Sequence, residues 1–212
     1  MTSITVFIVD DDIGIRRSLA LLLETDNLQS ACFASADAFL AACGPNPAGC
    51  LILDVRIPGM SGLQLQDELA LRNINLPIIF LTGYADVPMT VGAMRKGAVD
   101  FIAKPVNGAV LLERVHSALA SNALQRAASA ARSLFEARLL KLTTREREVL
   151  ALALSGIPNK RISNEMNISV RTVEGHRAQI FLKLGVASLI ELAQQAASAN
   201  MPLAEIDSRP PT

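Results

Sequence analysis

The chain has 212 residues, half of them hydrophobic, which is more than one typical domain and comfortable for two. It has one Tyr and no Trp, and no apolar run approaches the roughly 18 residues that a membrane span needs. The net charge is zero, yet residues 1–120 carry 8 basic and 12 acidic side chains (net −4), whereas residues 121–212 carry 12 and 8 (net +4). This asymmetry predicts two domains with different partners, with nucleic acid a candidate partner of the second.

The cysteines and the N-terminus indicate a cellular compartment. Cys32, Cys43 and Cys50 are scattered, with neither an even count nor the spacing of metal ligands. Small, buried thiols in a reducing cytoplasm are the simple interpretation. The N-terminus lacks the basic and apolar pattern of a secretory signal. We therefore expect a cytoplasmic protein that does not associate with membranes.

Between residues 4 and 119, short apolar runs alternate with segments of helical period. The runs predict strands at residues 4–10, 28–33, 49–54, 77–82 and 99–103. The segments predict five helices, whose apolar faces are marked by Ile15, Leu19 and Leu22; Phe39; Leu63, Leu65 and Leu69; Val87, Val91 and Met94; and Leu111, Val115 and Leu119. Five such units predict an α/β fold with a doubly wound parallel sheet of the flavodoxin-like order 2-1-3-4-5.

Polar residues stand where four of these strands end. They are Asp10, Asp11 and Asp12 after the first strand, Asp54 after the third, Thr82 after the fourth and Lys104 after the fifth. Because the carboxyl ends of parallel strands form the binding crevice, we expect these side chains at one rim of the sheet. Carboxylates are oxygen ligands for Mg²⁺, and a hydroxyl and an ammonium suit the charge of a phosphoryl group in transit. Asp54 is left as the phosphoryl acceptor, and Asp12 is expected to cap the first helix.

Four stretches of this half form a recognisable set: Val9-Asp10-Asp11; Leu53-Asp54 with Pro58-Gly59-Met60-Ser61-Gly62; Leu81-Thr82-Gly83; and Gly97-Ala98-Val99-Asp100-Phe101 leading to Lys104-Pro105. The set resembles the receiver domains of two-component response regulators over about 120 residues. The resemblance implies that Asp54 accepts phosphate from a phosphohistidine on a sensor histidine kinase. It also implies a site for Mg²⁺ (or Mn²⁺), formed by Asp10, Asp11, Asp54 and the backbone carbonyl of Arg56.

The resemblance further implies a conformational switch. Thr82 and Lys104 would bind the phosphoryl oxygens, and Phe101 would reposition when Thr82 moves. The Lys104–Pro105 peptide is expected to be cis. Arg56 and Tyr84 stand where similar receivers tune the lifetime of the phosphate. We expect phosphorylation to shift the surface of the fourth helix and fifth strand towards a dimerising shape that includes Val91, Arg95, Val99 and Asp100.

Residues 121–141 join the two halves. They are rich in Ala and free of Gly and Pro, which predicts a helical linker that continues or follows the fifth helix. Leu124, Ala128, Ala131, Phe135 and Leu142 recur at helical spacing, and Arg138 interrupts that apolar pattern. At the other end of the second half, residues 201–212 contain three prolines without periodicity and predict a flexible tail.

The second half predicts a small all-α domain at residues 142–200. Thr143 and Glu146 have the spacing of a capping box, which starts a helix that ends near Leu154. Pro158 begins a second helix, and a short turn at residues 167–169 leads to a third. The third helix carries apolar residues on one face at Val173, Ile180 and Leu184. Two short helices joined by a tight turn predict a helix-turn-helix, and residues 158–183 carry five basic and two acidic side chains, net +3.

The motifs of this half are Leu142-Thr143 with Arg145-Glu146-Arg147-Glu148-Val149-Leu150, Asn159-Lys160 with Ile162, and Arg171-Thr172-Val173-Glu174 with His176-Arg177. They resemble the LuxR-type DNA-binding domain. Together the two halves resemble the FixJ branch of the NarL/FixJ response regulators, and the resemblance covers nearly the whole chain.

The DNA contacts follow from the helix-turn-helix and this resemblance. Basic side chains are predicted to contact phosphates at Lys160, Arg171, Arg177 and Lys183. Thr172, Glu174 and His176 complete the predicted DNA-binding set, with Glu174 and His176 as candidate base contacts. Gly175 departs from the larger residue often seen in the family; it weakens the helix and removes a possible contact to a base methyl group.

The sequence thus predicts a transcription factor controlled by phosphorylation. Its expected partners are a sensor histidine kinase, promoter DNA, RNA polymerase and, when phosphorylated, a second copy of the chain. An alternative is a Mg²⁺-dependent phosphatase with an aspartyl nucleophile. Such an enzyme would need an acidic residue two positions beyond its nucleophile, where this chain has Arg56. A third possibility is a constitutive DNA-binding or scaffold protein, against which the intact Asp54, Thr82 and Lys104 set argues.

Overall fold

The structure, a computed structural model, describes residues 4–83 and 98–201. The chain divides into two compact units between Arg126 and Ala127. The division falls inside the predicted linker, so the boundaries at residues 120 and 142 stay predictions. The predicted fourth helix and residues 202–212 of the predicted tail lie outside the described residues.

The first unit contains a five-stranded parallel sheet. Its strands are β1 (Thr5–Val9), β2 (Ser30–Phe33), β3 (Gly49–Asp54), β4 (Ile78–Thr82) and β5 (Asp100–Ala103). Their order is β2-β1-β3-β4-β5, and every neighbouring pair is parallel, which confirms the predicted topology. The register pairs Val9 with Leu53 and Asp54 with Leu81, so these strands end at the same rim.

Four described helices accompany the sheet: α1 (Ile13–Thr25), α2 (Ala36–Ala42), α3 (Gly62–Leu71) and α4 (Gly108–Leu139). Asp12 caps α1 by accepting from the backbone N–H groups of Gly14 and Ile15, which confirms its predicted role. Such a cap satisfies donors that have no partner within the helix.

Helices cover both faces of the sheet, so β3 is buried along its whole length. On one face, Leu51, Leu53 and Phe80 pack with side chains of α2 and α3; on the other, Ile52 and Ile79 pack with side chains of α1 and α4. Burial on both faces explains why the strand shows no apolar-polar alternation in the sequence.

The expectation of three buried cysteines is correct only for Cys50. Burial raises the pKa of that thiol to about 12. Cys43 is half-buried at the end of α2, and Cys32 is exposed. Cys32 lies on β2, an edge strand of the sheet, which has a neighbouring strand on one side only.

Asn122, on α4, is a buried polar residue that the apolar pattern of the linker did not predict. Its side chain accepts from the backbone N–H of Gly49 (3.1 Å) and donates to the carbonyl of Asn75 (3.3 Å). Leu124, predicted to lie on the apolar face, is exposed. This part of α4 meets backbone polar groups, and because such groups need partners when buried, Asn122 suits the position better than leucine.

The second unit is helical, with α5 (Thr144–Leu154), α6 (Asn159–Glu165), α7 (Val170–Leu184) and α8 (Leu189–Ser198). The capping box of Thr143 and Glu146 is present, as predicted. The predicted apolar face of α7 is buried at Val173, Ile180 and Leu184. The helix α8 was not predicted, and it contributes Leu192 and Ala196 to the core.

Residues 170–198 contain an 18-residue window that is apolar enough to cross a membrane by length and composition alone. The structure divides this segment into α7 and α8, with Gly185 in a left-handed conformation at the end of α7. Each helix is shorter than the roughly 20 residues of a membrane span. Their buried side chains form part of the core of the second unit.

Candidate phosphoacceptor site and DNA interface

Three carboxylates cluster at the rim of the sheet. Asp10, Asp11 and Asp54 each offer an oxygen, and these oxygens lie within 4.8 Å of one another. Asp10 and Asp54 are nearly buried, at 1% and 8% exposure, whereas Asp11 is exposed. Three negatively charged carboxylates offer hard oxygen ligands, which divalent cations such as Mg²⁺ prefer, so the cluster fits a divalent metal site.

Lys104 connects this cluster to the far strand of the sheet. Its Nζ donates to Oδ2 of Asp10 at 2.8 Å and to Oδ2 of Asp54 at 2.6 Å. The peptide bond that follows Lys104 is cis, as predicted. Burial acts to lower the pKa of Lys104, but the hydrogen bonds and charges of the two carboxylates outweigh it and leave that pKa raised. The ammonium is therefore held charged between the two acids.

Backbone groups and an arginine orient the acids. Oδ1 of Asp54 accepts from the backbone N–H of Arg56 at 3.0 Å, and Oδ1 of Asp10 accepts from that of Asp12 at 2.9 Å. Arg16 donates from Nη1 to the backbone carbonyl of Asp10 at 2.7 Å. Sequence reasoning missed Arg16, because a basic residue on a helix gives no sign of its target. The Arg56 carbonyl as a metal ligand stays a prediction.

Gly62 allows α3 to start close to β3, the strand that ends at Asp54. A Cβ at this position would lie 2.3 Å from the carbonyl oxygen of Asp54, which no real side chain tolerates. The Gly62 N–H donates to the carbonyl of Val55, and the preceding Ser61 forms a capping box with Gln64. The Ser61-Gly62 part of the motif behind Asp54 thus places a well-capped helix against the backbone of Asp54.

Thr82 and Phe101 lie on the two strands next to this site. Thr82 ends β4, is buried, and accepts at its backbone carbonyl from the N–H of Lys104 at 2.8 Å. Phe101 stacks on the buried ring of Phe80, with centroids 4.8 Å apart and planes at 22°. The structure thus brings Thr82 to the same rim as the acids and Lys104, while the switch roles of Thr82 and Phe101 stay predictions.

Part of the predicted dimer face is described. Asp100 forms an ion pair with Arg114 at 2.8 Å and accepts from the backbone N–H of Phe101. Val99 is half-buried. Val91 and Arg95 lie outside the described residues, as does Tyr84, which was expected to tune the lifetime of the phosphate.

The N-terminal half of α7 presents most of the predicted DNA-binding side chains. Arg171, Thr172 and Glu174 are exposed, and His176 and Arg177 are half-buried. Ser169 caps the helix by accepting from the Thr172 N–H at 3.0 Å. An exposed, capped N-terminal half suits insertion of a recognition helix into a groove.

Two basic residues of the predicted set also have partners within the protein. Arg177 donates to Oδ1 of Asn159 on α6 at 2.7 Å, and its guanidinium carbon lies 5.8 Å from the ring centroid of Phe181. The ammonium of Lys183 donates to both carboxylate oxygens of the buried Glu146, at 2.6 and 2.8 Å. An ammonium has three donors, so this ion pair and a phosphate contact are compatible for Lys183. Lys160 is exposed on α6, next to the exposed Arg161 that the predicted set omitted.

Glu146 is an acidic residue in the core of the second unit. Burial acts to raise its pKa, but the hydrogen bonds from Lys183 and from Thr143 outweigh burial, and the pKa of Glu146 is lowered. The carboxylate is therefore charged at neutral pH and holds α5 to α7. The sequence predicted its capping role but not its ion pair, since nothing in the local pattern points to a residue 37 positions away.

An acidic cluster bridged by a lysine at the rim of a 2-1-3-4-5 parallel sheet, followed by a helix-turn-helix unit, defines a phosphoacceptor regulator that binds DNA. Residues 6–116 match the family described as the response regulator receiver domain, and residues 140–196 match the bacterial regulatory proteins of the luxR family. The chain belongs to the two-component response regulators with a LuxR-type DNA-binding domain.

Several relatives are similar over nearly their full lengths. The transcriptional regulatory protein FixJ of Azorhizobium caulinodans is 42% identical over 99% of both chains. The nodulation protein W of Bradyrhizobium diazoefficiens is 41% identical over 92% of this chain and 86% of its own. Among solved structures, the response regulator StyR is 40% identical, with a TM-score of 0.85 over 92% of this chain and 99% of its own.

Membership of this family determines the class of function. The protein is a transcriptional regulator and not a catalytic enzyme, which excludes the alternative of an aspartyl phosphatase. The receiver unit implies a sensor kinase as a partner, and the LuxR-type unit implies DNA binding.

Proposed function

We propose that a sensor histidine kinase phosphorylates this cytoplasmic regulator on Asp54, and that the phosphorylated form dimerises, binds promoter DNA and activates transcription with RNA polymerase. The observation that carries the proposal is the position of Lys104, whose ammonium lies within hydrogen-bond distance of both Asp10 and Asp54. The same rim carries Thr82 at the end of β4, the strand that lies between β3 and β5. Acids, hydroxyl and ammonium from four strands thus serve one reaction.

The acidic cluster fits Mg²⁺ or Mn²⁺. Asp10, Asp11, Asp54 and the backbone carbonyl of Arg56 would hold the ion, since all are hard oxygen donors. When bound, it supplies positive charge to the oxygens of the phosphoryl group. The residues of the chain do the rest of the positioning.

Asp54 acts as the nucleophile. One of its carboxylate oxygens bonds to phosphorus as the bond between phosphorus and the histidine nitrogen of the donor breaks. Lys104 neutralises a phosphoryl oxygen, and Thr82 donates its hydroxyl to another. Thr82 and Lys104 move to meet the new charge, and Phe101 repositions with Thr82. The surface that includes Val91, Arg95, Val99 and Asp100 then shifts towards the dimerising conformation.

The proposal is tested by phosphorylating the full-length protein with acetyl phosphate and Mg²⁺. We expect intact-protein mass spectrometry to show one added phosphoryl group on the wild type and none on Asp54→Asn. Size-exclusion chromatography with light scattering should show a dimer only for the phosphorylated wild type. Phosphate found on another residue, or dimerisation of Asp54→Asn under the same conditions, would contradict the assignment.

The DNA-binding surface is proposed to use Lys160, Arg171, Arg177 and Lys183 for phosphates and Thr172, Glu174 and His176 for the remaining contacts. Two symmetry-related copies of α7 in a dimer would face successive half-sites. The relatives named as transcriptional regulators, among them FixJ, support a role in transcription.

Gly175 gives a stability prediction for this surface. A Cβ added there meets no atom within 4 Å, and the residue is exposed in the middle of α7. Because glycine disfavours a helix interior, Gly175→Ala should raise the free energy of unfolding by about 0.5–1 kcal/mol. The reverse change at a nearby exposed position, Ala178→Gly, should lower it by a similar amount. Amide hydrogen exchange along α7 measures both changes, and a loss of protection in Gly175→Ala would contradict the prediction.

A further inference from the structure

Arg138 is a charged residue at the end of α4 whose target lies on the recognition helix. Its Nη1 donates to the backbone carbonyl of Leu184, the last residue of α7, at 3.0 Å. The same nitrogen lies 3.4 Å from Oε1 of Gln195 on α8. Phe135 and Leu139, on either side of Arg138 in the sequence, are buried in the core of the same unit. The end of α4 is thus a structural part of the DNA-binding unit.

The end of α7 is built to receive this guanidinium. Gly185 takes the left-handed conformation (φ 69°, ψ 41°), and its N–H donates to the carbonyls of Phe181 and Leu182. The N–H of Val186 also donates to the carbonyl of Phe181. These backbone hydrogen bonds use the carbonyls of Phe181 and Leu182, and the carbonyl of Leu184 accepts from Arg138. A Cβ on residue 185 would lie 3.2 Å from Nη1 of Arg138, so glycine both permits the turn and leaves room for the guanidinium.

The charge of Arg138 suits its position. The C-terminal end of a helix carries partial negative charge on its last carbonyl groups, and a guanidinium there makes a charge-assisted hydrogen bond. Two further polar contacts to this end of α7 are the ion pair of Lys183 with Glu146 and the hydrogen bond from Nε2 of Gln195 to the carbonyl of Gly185 (3.4 Å). Three different helices, α4, α5 and α8, therefore hold the C-terminal end of α7.

Arg138 differs from the other two contacts in its place along the chain. The match to the luxR family begins at residue 140, so Arg138 belongs to the segment that precedes it. The opposite end of α7 carries the exposed polar side chains proposed for DNA contact. A contact that fixes one end of a short helix fixes the direction in which the other end points.

We propose that Arg138 is a positioning residue for DNA recognition: it fixes the C-terminal end of α7 and thereby the angle at which the N-terminal half meets the bases. This inference rests on the proposed DNA-binding function. It predicts that loss of Arg138 reduces discrimination between DNA sequences more than it reduces general attraction to DNA, because phosphate contacts tolerate a change of angle better than contacts to base edges.

The test uses full-length phosphorylated protein and two duplexes. One duplex is isolated from a random pool by selection with the wild type, and the other is a shuffled version of it. The variants are Arg138→Met, which retains an unbranched apolar side chain, and Arg138→Lys, which keeps the charge. Arg132→Met is the matched control, because it removes an equal charge from the same helix, where Arg132 pairs with Glu136 and donates to the backbone carbonyl of Asn200, just beyond α8. Fluorescence anisotropy measures each affinity well below the melting temperature.

We expect Arg138→Met to weaken binding to the selected duplex about tenfold, which corresponds to the free energy of about one charge-assisted hydrogen bond. Binding to the shuffled duplex should weaken by less than about twofold beyond the effect of the control variant. Arg138→Lys should recover part of the discrimination. If both duplexes weaken by the same factor as with Arg132→Met, Arg138 contributes only charge and the inference is wrong. If Arg138→Met does not fold, the test uses Arg138→Lys, and the measured quantity is again the ratio of the affinities for the selected and the shuffled duplex. If the phosphorylated wild type enriches no duplex, the proposed function itself fails.

Discussion

Replacing Glu146 with Ala should lower the free energy of unfolding of the DNA-binding unit by about 2–4 kcal/mol. The carboxylate is 5% exposed and takes part in two interactions, the ion pair with Lys183 and the capping box with Thr143. Its loss leaves a backbone N–H of Thr143 without that acceptor and an ammonium without its counter-charge. Because the Lys183 side chain is 28% exposed, water can reach it, and the expected loss is below that of a fully buried pair.

Hydrogen exchange of the backbone amides of α5 and α7 in the full-length protein measures this loss. Glu146→Gln separates the two interactions, since glutamine can still accept in the capping box but carries no charge; it should cost less than Glu146→Ala. Glu148→Ala is the matched control on the same helix, where an exposed pair with Arg145 predicts a change within about 0.5 kcal/mol. Equal effects at 146 and 148 would show that the ion pair contributes nothing.

The same carboxylate predicts the direction of a pH effect. The pKa of Glu146 is lower in the folded protein than its ordinary value, so the unfolded state binds the proton more readily. Its stabilising contribution is therefore complete above the ordinary glutamate pKa and is lost as the pH falls through the lowered one. The wild type should lose protection of α5 and α7 in that acidic range, and Glu146→Gln should lose less.

The fold was predictable from the sequence because its signals are local. The strand β3 is a continuous apolar run since it is buried on both faces, and each acid or hydroxyl of the site stands at the end of a strand or directly after it. Parallel pairing then brings Asp10, Asp54 and Thr82 to one rim without any further information. The capping box of Thr143 and Glu146 is equally local, with a fixed spacing of three residues.

The contacts that the sequence did not predict join residues on different elements of the fold. Arg16 reaches a backbone carbonyl, as do Asn122 and Arg138, and backbone groups have no sequence signature. Lys183 looked like a surface cation because its partner lies on another helix. The sequence thus shows which polar residues lie on a helix, but it does not predict their hydrogen-bond partners, which depend on tertiary packing.

Replacing Lys104 with Met should slow phosphorylation of Asp54 about 100-fold, the effect of removing one charged donor from a site that stabilises developing negative charge. Lys104 is the cation that the structure places on both Asp10 and Asp54, at 2.8 and 2.6 Å. Methionine keeps an unbranched chain of similar length but cannot donate, so the phosphoryl oxygen would lose its ammonium partner. The rate is measured with acetyl phosphate and Mg²⁺ as the growth of the phosphorylated fraction in intact-protein mass spectra.

Two further variants serve as controls for the rate measured with Lys104→Met. Arg72→Met removes an equal charge from the end of α3, where Arg72 pairs with Glu68, and should leave the rate within about twofold of the wild type. Lys104→Arg keeps the charge with a different donor geometry and should give an intermediate rate, because a planar guanidinium cannot reproduce the position of an ammonium between two carboxylates. If Lys104→Met reacts as fast as Arg72→Met while hydrogen exchange shows an intact sheet, Lys104 stabilises the resting site without aiding phosphoryl transfer, and the chemistry proposed for this rim must then rest on the acids and Thr82.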